Sequence, residues 1–159
     1  MNKVLYILRH AQSAGTQAGS TDKDRSLTAV GKESALRLGL MLNKDEIGID
    51  LIVTSTAVRA IETARLVNES LKLPPIKVKQ ESDLYVAFPS TLWEIVMSLP
   101  SDAHRVLVVG HNPVLSEFAG ALLSKPVDLS ACECLAIEWP GDWNKRPAGA
   151  CKLIAEFQP

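Results

Sequence analysis

A three-layer α/β fold, with helices on both faces of a mixed, mostly parallel sheet, is predicted by two features of this chain. Three short apolar runs, residues 4–8, 51–53 and 106–109, each end at polar residues and lead into segments whose apolar positions recur every three or four residues. Two further strand-like segments, 134–139 and 152–157, close the chain as an antiparallel pair. With 159 residues, 47% apolar and 22% charged, the chain has the material for one core, and we read 1–159 as a single domain.

Val4-Leu5-Tyr6-Ile7-Leu8 is rich in strand formers and reads as a strand covered on both faces, ending at Arg9-His10. Residues 11–25 are small and polar and read as a loop. Thr28 is placed as an N-cap, and Leu36, Leu40, Met41 and Leu42 are expected to form the inward stripe of the helix that follows. Residues 50–54 read as a second buried strand, followed by Ser55-Thr56 and a helix from about 57 to 71 with Ile61, Ala64, Val67 and Leu71 inside. Pro74-Pro75 stops that helix, and residues 76–79 alternate as a short edge strand. A helix after Pro89-Ser90 carries Leu92, Ile95, Val96 and Leu99 inward. Residues 106–109 are the third buried strand, closed by Gly110-His111, with Asn112 and Pro113 as N-cap and first-turn proline of the next helix. The final pair of strands spans a loop holding Pro140-Gly141 and Pro147.

Composition narrows the function. A net charge of −1 without a dense Lys/Arg stretch argues against a nucleic-acid partner, which needs clustered cations. No membrane partner is expected: residues 4–8 are far too short to span a bilayer and lack the flanks of a signal peptide, so the cytoplasm is the expected compartment. Cys132, Cys134 and Cys151 form no Cys-x-x-Cys pair and read as small buried thiols, in keeping with a reducing address.

In open α/β sheets, ligands bind beyond the carboxyl ends of the strands. Here those ends carry Arg9-His10, Ser55 with Arg59, and Gly110-His111. Arginine forks fit phosphate oxygens in bidentate fashion, and helix N-termini after Ser55 and Asn112 add backbone N–H donors, so the site suits an anion, phosphate above all. A histidine beside such a cluster can act as nucleophile, since neutral imidazole needs no strong base to expose its lone pair. The arginine charges disfavour a protonated His10 and spread the charge that builds on phosphorus oxygens in transfer. No metal or other cofactor is called for, because no group of Asp, Glu or His ligands gathers at these strand ends. Taken singly, each residue has a plainer reading: Arg-His is a common dipeptide, His111 could be a structural histidine, and Arg59 a surface residue paired with Glu62. Their joint placement at three strand ends carries the argument.

Four stretches resemble one known family. Leu8-Arg9-His10-Ala11-Gln12-Ser13, Arg25-Ser26-Leu27-Thr28-Ala29-Val30-Gly31, residues 55–64 (STAVRAIETA) and Val108-Val109-Gly110-His111-Asn112-Pro113 are similar to the histidine phosphatase, or phosphoglycerate mutase-like, superfamily, and to its short SixA-type phosphohistidine phosphatases. The resemblance implies a phosphoglycerate mutase-like fold, a phosphorylated histidine at His10, and a phosphate clamp of Arg9, Arg59 and His111. Ala11 stands where the best-known members have glycine, and alanine also occurs in the short branch. The general acid of many members falls in Glu81-Ser82-Asp83-Leu84-Tyr85, where the Leu-Tyr pair points to Asp83, with Glu81 second. Ser13 and Arg25 are second-tier candidates for the pocket mouth. His104 reads as a surface residue, and Trp93, Trp139 and Trp143 as packing.

The expected activity is metal-independent phosphate hydrolysis in two displacements, first to phospho-His10 and then to water. A chain of 159 residues leaves little beyond the core for a covering segment, which favours phosphohistidine on a protein as the substrate. A small phosphorylated metabolite is the alternative substrate, and a non-catalytic phosphate-binding module the alternative role.

Overall fold

The computed structural model describes residues 2–44, 47–85 and 88–159. Its elements follow the order read from the sequence: β1 (Lys3–Arg9), α1 (Ala29–Lys44), β2 (Leu51–Thr54), α2 (Val58–Leu71), β3 (Val78–Gln80), α3 (Pro89–Met97), β4 (Arg105–Gly110), α4 (Val114–Leu123), β5 (Cys134–Trp139) and β6 (Lys152–Phe157). The six strands form one sheet in the order β3-β2-β4-β1-β5-β6. The β3-β2, β2-β4 and β4-β1 pairs are parallel, while β5 runs antiparallel to both β1 and β6. The buried run in β1 sits in mid-sheet, and Ile76 and Lys77 belong to a short 3-10 turn ahead of the edge strand rather than to the strand itself.

Alternate residues of the central strands feed two cores. Leu5, Ile7, Val106 and Val108 point with Leu51 and Val53 into a cluster that α3 and α4 close with Leu92, Val96, Leu115 and Phe118. Trp139 and Trp143 are fully buried in this cluster, and the Trp143 indole N–H donates to the Ala103 carbonyl. Tyr6, Leu8, Leu107 and Val109 point the other way, toward α1 and α2, where they meet Leu38, Leu42, Ala60, Ala64 and Val67. Cys132 and Cys134 are free and buried on this second side, and burial pushes the Cys132 thiol up to about 12.

The helix starts follow from side-chain caps. Thr28 Oγ1 accepts the Gly31 N–H at 3.0 Å, which satisfies an otherwise orphaned donor of the first turn of α1. Asn112 lies two residues before α4, and its Oδ1 accepts from both the Ser116 N–H and the Ser116 hydroxyl. It therefore does the capping work, while Pro113 stands just outside the helix.

The inward face of α1 corrects the sequence reading. Leu36 is 37% and Leu40 61% exposed, and the buried residues are Gly31, Ala35, Leu38, Gly39 and Leu42. Hydrophobicity alone favoured the leucines, but α1 lies so close to α2 that small residues must fill the contact. A Cβ on Gly39 would stand 2.6 Å from the Val67 carbonyl oxygen. Replacing a helical glycine by alanine ordinarily adds about 1 kcal/mol of stability, whereas overpacking costs roughly 1–3 kcal/mol. Gly39→Ala is therefore expected to lower the thermal midpoint, and a raised midpoint in calorimetry would show that the two helices have room to spare.

Candidate active site

Strand register assembles the site. Arg9 pairs with Gly110 across β1 and β4, so the next residues, His10 and His111, leave the sheet side by side. The His10 N–H donates to the Gly110 carbonyl at 3.1 Å, and the Ser55 N–H donates to the Val109 carbonyl at 3.0 Å, which brings the end of β2 alongside. The two imidazoles stand 5.2 Å apart between ring centres. Arg59 enters from the first turn of α2 and is buried. It does not pair with Glu62, whose carboxylate accepts the Leu27 N–H instead.

The backbone behind His10 is tightly held. The Ala11 N–H donates to Thr63 Oγ1, and that hydroxyl donates to the Arg59 carbonyl at 2.7 Å, so one buried threonine ties the histidine loop to the arginine helix. Ala11 is itself fully buried, so its methyl group is absorbed by packing. A Cβ on Gly31 would fall 2.1 Å from the Gln12 carbonyl oxygen, which explains why glycine stands where the first turn of α1 crosses the loop.

Hydrogen-bond accounting fixes the proton on His10. Its Nδ1 lies 2.7 Å from the Ala11 carbonyl oxygen, an acceptor only, so Nδ1 carries the proton. Nε2 is then a lone pair, and it receives the Arg59 Nε–H at 3.3 Å. Burial, chiefly, lowers the His10 pKa to about 4, against the opposing Ala11 hydrogen bond and with smaller help from Arg59, Arg9 and Arg25. The arginines reinforce this neutrality as their charge implies, and withdrawal from water is the larger cause. A neutral ring whose Nε2 carries a lone pair, held here only by the long Arg59 hydrogen bond, is the form that can attack phosphorus.

His111 is resolved by the same reasoning. Its Nε2 lies 2.7 Å from Ser55 Oγ, and that hydroxyl also accepts the Ala57 N–H. Ser55 is fully buried, and among the described residues the hydroxyl proton finds its acceptor in His111 Nε2. The His111 proton therefore sits on Nδ1, which is buried and unpartnered, as is Arg9 Nε. Burial and the neighbouring His10 lower the His111 pKa to about 3. Arg9 is otherwise anchored by its NH1 to the Leu129 carbonyl, which also accepts from Asn112 Nδ2.

A cavity of about 350 Å³ opens over these groups, lined by Arg9, His10, Ser13, Arg25, Arg59 and His111 among others. Ser13 and Arg25 thus reach the mouth as expected: Arg25 NH2 donates to Ser13 Oγ, and its Nε to the Ala14 carbonyl. Asp83 does not reach the mouth. It is exposed and lines a separate cavity of about 420 Å³ with Glu81, Lys79 and Glu94, which holds neither histidine nor arginine. The 3-10 turn Ser82–Leu84, capped by the Glu81 carboxylate, buries Leu84 and turns Tyr85 rather than Asp83 toward the histidines. Of the Leu-Tyr pair, the tyrosine is the residue that stands beside the histidines.

Asp22 is the residue that sequence reasoning missed. It lies in the polar loop, and its Oδ2 accepts from the Tyr85 hydroxyl at 2.7 Å and from Arg59 NH2 at 3.1 Å, while Oδ1 accepts from Arg25 NH1 at 2.9 Å. The Tyr85 hydrogen bond first, then Arg25, hold this carboxyl far below the usual carboxylate range. Its position three residues before Arg25 was the available signal, but a loop aspartate carries no periodicity to mark it.

The pKa values lead to a pH test. Unfolded histidines titrate near 6.5, whereas His10 and His111 in the fold titrate at about 4 and about 3, so below pH 6.5 the unfolded chain binds more protons. Stability should then fall as pH drops from 6.5 toward 4, and His10→Gln should flatten that decline in a denaturant-unfolding series. The acid limb of kcat/KM should lie near pH 4 rather than near 6.5; an inflection at 6.5 would mean that His10 is solvated and ordinarily basic.

Comparison with known proteins agrees with this arrangement. Residues 5–85 match the family model described as histidine phosphatase superfamily (branch 1). An uncharacterised protein of Mycobacterium tuberculosis is 31% identical over 163 residues, covering 96% of this chain and 99% of its own. The human mitochondrial serine/threonine-protein phosphatase PGAM5 is 37% identical over 67 residues, 42% of this chain and 22% of that protein. Among solved structures, the protein histidine phosphatase SixA complexed with tungstate superposes with a TM-score of 0.82 at 19% identity, covering 98% of this chain and 96% of that one. A mycobacterial glucosyl-3-phosphoglycerate phosphatase superposes with a TM-score of 0.70 at 17% identity over 96% of this chain and 97% of its own. By its matched motifs and its phosphoglycerate mutase-like fold, the chain belongs to the histidine phosphatase superfamily, branch 1.

Proposed function

We propose that this phosphatase removes phosphate from phosphohistidine on a protein, through a phospho-His10 intermediate and without a metal. The observation that carries the reading is that the cavity over the histidines is lined by no carboxylate among the described residues, and that Asp22, in the adjoining space, is held ionised by its contacts with the Tyr85 hydroxyl, Arg25 and Arg59. An ionised carboxylate has no proton to give. The Tyr85 hydroxyl is a poor substitute, since its hydrogen bond to Asp22 raises its pKa above the ordinary tyrosine value.

Leaving groups differ in how much they need such a proton. An alkoxide is strongly basic and departs slowly without a positioned acid, whereas imidazole protonated on its second nitrogen departs neutral. A pocket rich in cations and poor in acids therefore suits phosphohistidine better than a sugar phosphate. In the first displacement His10 Nε2 bonds to phosphorus as the bond to the substrate nitrogen breaks, and Arg9, Arg59 and His111 meet the charge on the equatorial oxygens. Phospho-His10 keeps its Nδ1 proton on the Ala11 carbonyl, so it too leaves as a neutral ring when water attacks, with both water protons passing to the released phosphate.

Rapid quenching with labelled substrate should trap phosphate on His10 that is labile to acid and stable to alkali; label recovered in His10→Ala would sink the mechanism. Arg59→Ala should cost about 3 kcal/mol or more of transition-state stabilisation, comparable to losing one preorganised oxyanion donor. Chelators should leave turnover unchanged, and Asp83→Asn should behave as the parent with either substrate class. A preference of about a hundredfold or more in kcat/KM for a sugar phosphate over a phosphohistidine peptide would replace the substrate reading with that of a small-metabolite phosphatase.

A further inference from the structure

The phosphoryl cavity has a second lobe. Arg59, His111 and Asn112 line both, and beyond them a space of about 300 Å³ is walled by Leu84, Tyr85, Pro113 and Val114, with Asp22 at its edge. Asp22, Arg59, His111 and Asn112 make one side of it polar, Leu84, Tyr85, Pro113 and Val114 make the other apolar and aromatic, and the Tyr85 ring stands edge-on to His111 at 5.8 Å. Asp22 is half exposed, so its carboxylate is open to a ligand while three side chains fix its position. Oδ1 accepts from Arg25 and has a second lone pair to offer.

The lobe adjoins the cavity over His10 and offers room for what leaves. His10 Nε2 attacks from one side of phosphorus, and an in-line displacement sends the leaving group to the opposite side. An aromatic and apolar wall beside a fixed carboxylate fits a planar ring that carries an N–H. We propose that Asp22 is a specificity-determining residue, its carboxylate accepting the N–H on the remote nitrogen of the leaving imidazole in the lobe beside Tyr85. The inference rests on the phosphohistidine reading and names the group that selects it.

The step balances. The substrate enters with its imidazole protonated on the nitrogen remote from phosphorus, a form that the Asp22 carboxylate favours by charge and hydrogen bond. As the His10 Nε2 lone pair bonds to phosphorus, the old nitrogen–phosphorus bond breaks and its electron pair stays on the leaving nitrogen. The remote nitrogen keeps its proton, so neutral imidazole departs and no proton crosses to or from Asp22. A phenolate leaving from an aryl phosphate, by contrast, carries negative charge toward the same carboxylate.

This contrast supplies the test. Both substrates place phosphate on His10 beneath Arg59, so a disturbance of the clamp lowers both, and the ratio of their kcat/KM values isolates the leaving group. Asp22→Asn should lower the ratio of phosphohistidine peptide to 4-nitrophenyl phosphate by about tenfold or more, and Asp22→Glu should restore part of it. An unchanged ratio in Asp22→Asn, with the parent active on the peptide, overturns the role of Asp22 and leaves the phosphohistidine reading standing. A parent inactive on the peptide overturns both. Should Asp22→Asn not fold, inhibition of the parent decides: imidazole, which has an N–H, should inhibit 4-nitrophenyl phosphate turnover about tenfold better than thiazole, which has none. Equal inhibition would count against the carboxylate contact.

Discussion

The hydrogen bond from the His10 N–H to the Gly110 carbonyl, continuing the parallel ladder of β1 and β4, is the constraint on which the site depends. One residue of slip in that register would turn every side chain of β1 to the opposite face. It would exchange Leu5 and Ile7 with Tyr6 and Leu8 between two cores that each fit only one set. The two cores therefore hold the register, and the register holds His10 against His111. Catalytic geometry here is a consequence of packing some distance below it.

The chemistry depends on the same burial. Both histidines are nearly shut off from water, and this, more than the neighbouring arginines, keeps their rings neutral. The Ala11 carbonyl takes the His10 Nδ1 proton, and the Ser55 hydroxyl, donating to Nε2 of His111, leaves the proton of that ring on its unpartnered Nδ1, so one ring presents a lone pair and the other an N–H. The same residue type thus presents a lone pair and a donor side by side, and the difference between them lies in backbone and hydroxyl contacts rather than in charge.

Around that pair the cations are arranged by anions and carbonyls of the protein. Asp22 holds Arg25 and Arg59 together, and the Leu129 carbonyl holds Arg9, so the three guanidinium groups are fixed in place around the cavity. The exposed Asp22–Arg25 pair adds little to stability on its own. Its consequence is positional: Arg59 is kept with one edge toward His10 Nε2 and the other toward the second lobe.

The sequence by itself determined the strand and helix order, the presence of a short edge strand after Pro74-Pro75, although its reading of 76–79 began two residues early, and the convergence of Arg9, His10, Arg59 and His111. These rest on local patterns, apolar runs broken by polar residues at strand ends, which survive folding unchanged. It did not determine the inner face of α1, because hydrophobicity pointed to Leu36 and Leu40 while the closeness of α2 demanded Gly39 and Ala35. Nor could it separate Asp83 from Asp22. Both are polar loop residues without periodicity, and one turn of 3-10 helix sends Asp83 to solvent and Tyr85 across the pocket to meet Asp22, 63 residues away along the chain. Contacts of that kind are made by where two loops end in space, and no spacing within either loop encodes them.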